Sequence, residues 1–159
     1  MRRGVLAGIV AGAAGTVALN VATYADMALR GRSASSVPSQ MAGILADRAG
    51  LDLSAGQGGA AGEQVENRKS GLGALLGYVT GLGVGGAYGL LSPVLRWLPR
   101  SLAGAAVGLA AMATSDVPIA RLGVSDPATW SRAEWAADLI PHLAYGLVTV
   151  STYDAITGR

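Results

Sequence analysis

Glycines stand four residues apart through one long apolar stretch: Gly73, Gly77, Gly81, Gly85 and Gly89 recur between Ser70 and Leu98. Four residues turn an α-helix through about 400°, so these five lie on a slowly drifting stripe along one side of the rod. A stripe without side chains is a groove. A second helix can seat its backbone there unusually closely, the geometry behind GxxxG association in lipid. That helix can come from the same chain or from a second copy, which makes a homo-oligomer one expectation. The stretch is also longer than the roughly 20 apolar residues needed to cross a hydrocarbon core.

Three further stretches have the same character. The first runs over 4–29 behind the basic start Met1-Arg2-Arg3, with Gly4, Gly8 and Gly12 on one face. A cleaved signal peptide is its rival, but the apolar pattern continues past Ala22 and a removed peptide needs no packing face. The others run over 101–119, with Gly104 and Gly108, and over 133–156. Trp97, Trp130 and Trp135 sit where these stretches begin or end, as amphipathic aromatics do at membrane interfaces. Charged residues make up only 14% of the chain, against about 25% in ordinary soluble domains. The expectation is therefore a single all-α integral membrane domain over residues 1–159. It is a four-helix transmembrane bundle, spans 4–29, 70–98, 101–119 and 133–156, packed through Gly and Ala.

The polar loop 30–69 predicts one short amphipathic helix, from the Ser36-Val37-Pro38 start to Gly50, with Met41, Ile44, Leu45 and Arg48 at helical spacing. Ser54 to Glu66 reads as a linker. Leu6-Ala7-Gly8 with Gly12 echoes Leu102-Ala103-Gly104 with Gly108, an echo that also aligns Asn20 with Asp116, as a duplicated hairpin would.

Composition excludes several chemistries. There is no cysteine, and His142 is the single histidine, so thiolate catalysis and multi-histidine metal sites are ruled out. The net charge of +2 is spread thinly, whereas nucleic-acid binders carry a basic stripe. No phosphate loop or nucleophile elbow is present. No metal, no cofactor, no nucleic acid and no enzymatic activity are expected; the partner is the lipid bilayer. Lys69 is the only lysine among 12 basic residues and Phe is absent, a usage that suggests a GC-rich bacterial source. With four spans both termini would share a side with the Arg96–Arg100 turn. That side holds Arg2, Arg3, Arg96, Arg100 and Arg159 against Asp154, and its net charge favours a cytoplasmic placement.

Chemistry, if any, concentrates in the last stretch. Glu134, Asp138 and His142 are spaced by four and share a helix face at increasing depth. Pro141 leaves the carbonyl of Ala137 without its helical donor. Asp116, Asp26 and Asn20 would lie at the same end. A histidine among carboxylates can relay protons or hold a cation, since imidazole titrates near neutral pH. The leading expectation is that the same residues are hydrogen-bonding glue between the helices of a structural or accessory membrane protein, with conduction the alternative.

The run Asp138-Leu139-Ile140-Pro141-His142-Leu143, with a basic N-terminus leading into a Gly/Ala helix, resembles the YagU-like bacterial inner-membrane proteins. The resemblance implies an inner-membrane location and no assigned reaction.

Overall fold

Each glycine-bearing apolar stretch forms one helix in the computed structural model, which describes residues 2–54 and 61–158, although the stretch 70–98 leaves its helix at Leu95. The helices are α1 (Arg2–Arg30), α2 (Val37–Arg48), α3 (Ala61–Leu95), α4 (Arg100–Arg121) and α5 (Arg132–Thr157), with a single 3-10 turn at Pro127–Thr129 before α5. No strand occurs among the described residues.

The expected four-helix transmembrane bundle is not what forms. Of the five α-helices, three are long and apolar enough to cross a membrane: α1, α3 and α4. The stretch 133–156 is helical and α5 has 26 residues, but with Glu134, Asp138, Pro141, His142 and Asp154 spread along it no membrane-length window is apolar enough to count as a span. The expected linker is corrected too. Helix α3 already begins at Ala61, so its polar first turns occupy 61–66, and the expectation for 55–60 lies outside the described residues.

Helix α2 begins with Pro38 in its first turn and stops before Gly50, whose φ of 70° suits the residue after a helix end. The face it buries differs from the expected one. Ala42, Gly43 and Ala46 are buried while Leu45 is exposed, because α2 packs on the start of α3. Small residues are what this close approach requires: a Cβ on Gly73 would come within 2.7 Å of the Pro38 backbone.

The long helices lie side by side in the order α3, α1, α5, α4. Between α1 and α3 the glycines face one another. A Cβ on Gly85 would lie 2.6 Å from Cα of Gly12, and one on Gly8 would lie 2.9 Å from Cα of Gly89. The groove at 81–89 is thus filled by α1 of the same chain. Gly77 meets nothing within 4 Å, so the five-glycine stripe is divided. Gly73 serves α2, Gly81 to Gly89 serve α1, and Gly77 faces outward between them. Helices α4 and α5 close in the same manner, Gly146 and Gly108 being so near that a Cβ on the former would sit 2.8 Å from Cα of the latter.

Burial is arranged by size. The interior holds Ala11 at 0% exposure, Tyr145 at 1% and the alanines 103 and 111, while Leu6 at 63% and Val79 at 66% point outward with Val10, Val21, Leu75 and Leu109. A water-soluble monomer seldom exposes so continuous an apolar surface. Against hydrocarbon that surface costs nothing, and small interior residues gain dispersion by close backbone approach.

The glycine contacts give a paired expectation. Gly85→Ala forces α1 and α3 apart and destabilises the protein by roughly 1–3 kcal/mol, the usual cost of overpacking. Gly77→Ala meets open space and is neutral or stabilising, since Ala is the better helix former. Thermal unfolding of the two variants in one detergent measures the difference; equal loss in both contradicts the assignment of faces.

Candidate functional site

The α4–α5 glycine contact decides which polar groups meet. Gly104 and Gly108 bring the backbone of α4 against His142, Leu143 and Leu147 of α5, a Cβ on Gly108 falling 3.1 Å from Cα of Leu143. The helices run antiparallel, so two turns beyond Gly108 the chain sets Asp116 opposite Asp138.

There the carboxyl groups of Asp116 and Asp138 come within hydrogen-bonding reach, with the Ser115 hydroxyl beside Asp116. Nδ1 of His142 lies 2.8 Å from the carbonyl oxygen of Asp138 and 3.3 Å from its Oδ1. A carbonyl oxygen only accepts, so the proton sits on Nδ1 and Nε2 is the remaining nitrogen of the ring. Oδ2 of Asp138 is buried and has no hydrogen-bond partner. Two carboxyl groups in contact offer only acceptors unless a proton lies between them. The arrangement is thus a compact polar cluster shared by two helices.

Two other residues expected in this cluster, Glu134 and Asp26, are engaged by neighbours of their own. Ser131 and Glu134 form a capping box: the Ser131 hydroxyl accepts from the Glu134 amide at 3.3 Å, and the Glu134 carboxylate accepts from the Ser131 amide at 2.7 Å. These bonds to Ser131 hold the exposed Glu134 carboxyl below the usual carboxylate range. Asp26 is paired with Arg30 at 2.5 Å and with Arg32. Asn20 is half-buried on α1. Among the described residues no group of three His, Asp or Glu side chains is arranged to hold a metal ion. Two features of the loop before α5 support its start: the Trp130 indole nitrogen donates to Ser125 Oγ at 2.9 Å, and its ring meets Trp135 edge-on at 5.2 Å.

A second set of polar contacts escaped sequence reasoning. The Tyr145 hydroxyl donates to the Gly81 carbonyl at 2.6 Å, and the Tyr153 hydroxyl lies 3.4 Å from the Gly89 carbonyl and 2.7 Å from Ser92 Oγ. Without side chains, these glycines leave their carbonyl oxygens open to a neighbour. The signal was present: tyrosines eight apart on α5 match glycines eight apart on α3, as two parallel helices need. Near the end of α5, Arg100 pairs with Asp154 at 2.8 Å.

No known protein family matches this chain, and no curated protein or solved structure matches it.

The Asp138–His142 contact implies coupling. His142→Ala leaves the Asp138 carboxyl short of a partner, at a cost of about 1–3 kcal/mol, whereas Asp138→Asn keeps the 2.8 Å backbone bond to Nδ1 and costs less. The double variant is expected to lose no more stability than the worse single one. A thermodynamic cycle in detergent measures this; fully additive losses would show that the two side chains act independently.

Proposed function

We propose that this protein is a structural or accessory component of a bacterial cytoplasmic membrane, with α1, α3 and α4 crossing the bilayer. The observation that carries this reading is the burial pattern of the long helices: Ala7, Ala11, Ala103, Ala111, Tyr145 and Tyr153 are inside, while Leu6, Val10, Val17, Val21, Leu75, Val79 and Leu109 face outward. Such a molecule is stabilised by lipid around it and by backbone contact within it. The end that gathers Arg2, Arg3, Arg96 and Arg100 is cytoplasmic in this reading, on its net positive charge. A place among YagU-like inner-membrane proteins belongs to the same proposal and rests on residues 138–143.

A second reading has one observation in its favour, the buried unpartnered oxygen of Asp138 beside Asp116 and His142. On this reading the protein conducts protons or a small cation. A conduction path must continue past the cluster, and the next turns of α5 are filled by Tyr145, Thr149 and Val150, all at most 1% exposed. The first reading is therefore preferred.

One preparation tests both. Membranes washed with alkaline carbonate retain the protein if it is integral; recovery in the wash as a monodisperse soluble species refutes the first reading. Purified protein in liposomes with an internal pH dye shows no proton flux above empty vesicles on the first reading. Flux that His142→Ala abolishes, in protein still folded by its melting curve, would establish the second.

A further inference from the structure

The ring of long helices α3, α1, α5, α4 does not close tightly. Although α3 and α4 are consecutive and joined by the turn at 96–99, they make far less contact than the other neighbouring pairs. Two cavities fill the gap. One, of about 160 Å³, opens at the turn between Arg96, Arg100 and Asp154. The other, of about 260 Å³, runs between Leu91 on α3 and Ala106, Val107 and Ala110 on α4, reaching Thr114. Tyr88, Leu95, Leu98 and Ala103 line both, so they form one cleft with a charged mouth and an apolar body.

We propose that this cleft holds one anionic phospholipid from the surrounding bilayer, its phosphate at Arg96 and Arg100 and one acyl chain along Ala106 and Ala110. The dimensions suit a lipid. From Ala103 to Thr114 the helical rise covers about 16 Å, close to half of a hydrocarbon core about 30 Å thick, which is one leaflet. A helix, about 10 Å across with its side chains, is too wide for a cleft of this volume. Ala87, Ala106 and Ala110 are exposed small residues in a surface otherwise covered by leucine and valine, and they make the cleft.

Charge selects the headgroup. Gly4 of α1 lies beside the Tyr153 hydroxyl of α5, so the start of α1, the 96–99 turn and the end of α5 share one end of the molecule. At the mouth of the cleft that end presents Arg96 and Arg100, with Asp154 paired to Arg100. Guanidinium groups match phosphate oxygens in pairs of hydrogen bonds. Trp97, 77% exposed next to Arg96, is the type of side chain that settles among headgroups.

The inference rests on the membrane reading only in requiring lipid around α3 and α4. Native mass spectrometry of the detergent-purified chain, titrated with phosphatidylglycerol or phosphatidylcholine, tests it. One phosphatidylglycerol per chain is expected to be retained in preference to phosphatidylcholine. Arg96→Ala removes a charge-assisted contact and lowers that retention about tenfold, and Ala106→Phe, which fills the body of the cleft, lowers it as well. Arg3→Ala, at the same end but outside the cleft, leaves retention unchanged. Equal retention of the two lipids, or undiminished retention in Arg96→Ala at unchanged melting temperature, would overturn the proposal. An equal loss in Arg3→Ala would overturn it in favour of a diffuse basic surface, and displacement of the lipid by millimolar inorganic phosphate in favour of a phosphate site. A chain that binds a detergent micelle yet selects no lipid sinks this inference and leaves the membrane reading standing.

Discussion

Direct contact between the backbones of α1 and α3 organises this molecule. Gly4, Gly8 and Gly12 meet Gly81, Gly85 and Gly89 so closely that a single methyl group on most of them would collide with main-chain atoms. Large side chains then have no place between these helices and turn outward. The same contact leaves the carbonyl oxygens of Gly81 and Gly89 accessible, and Tyr145 and Tyr153 reach them from α5. Helix α5 is thereby held against α1, with Gly15 of α1 seated where a Cβ would strike the Tyr145 ring at 2.8 Å.

Helix α5 mediates between two kinds of environment. One edge bears tyrosine hydroxyls toward glycine carbonyls, and the other bears Asp138 and His142 toward Asp116 on α4. Its neighbours are apolar enough to meet lipid without help, whereas α5 has an inward polar face on both sides. The polar groups divide between the two ends: the Asp116–Asp138–His142 cluster at one, the Arg100–Asp154 pair at the other. A layer containing Tyr145, Thr149 and Val150 separates them. The one seam without such contacts is between α3 and α4, where alanines leave a cleft instead of a joint.

Much of the helix pattern could be read from residue spacing, because apolar length and the four-residue glycine repeat are local properties. The stretches 4–29 and 101–119 agree with α1 and α4 to within two residues at each end. Counting spans went further than local pattern allows: 133–156 is long, yet its acids, His142 and Pro141 set α5 apart from the three apolar helices. The start of α3 was missed because Glu63, Glu66, Arg68 and Lys69 look like loop, and polar residues at a helix end carry no apolar period. Of the residues expected to share a polar site, Asp116, Asp138 and His142 meet, since two of them are one turn apart and the antiparallel hairpin supplies the third. Glu134 has the same spacing from Asp138 but is engaged by Ser131, a competition visible in the Ser131-x-x-Glu134 capping pattern. Asp26 is drawn to Arg30 and Arg32 in its own neighbourhood. The matching eight-residue spacings of the tyrosines and glycines were visible, but pairing them needed the relative register of α3 and α5, which no single stretch encodes.

The absence of native cysteine makes the central contact directly measurable in membranes. A Cβ on Gly86 would lie 3.2 Å from Cγ1 of Ile9, near the separation a disulfide spans. Oxidation of the Ile9→Cys, Gly86→Cys double variant should therefore close a bond within one chain, giving a faster-migrating monomer on a denaturing gel that reverts on reduction. A bond formed only between two copies, or none under conditions that oxidise an exposed control pair, would contradict the account of α1 seated in the α3 groove.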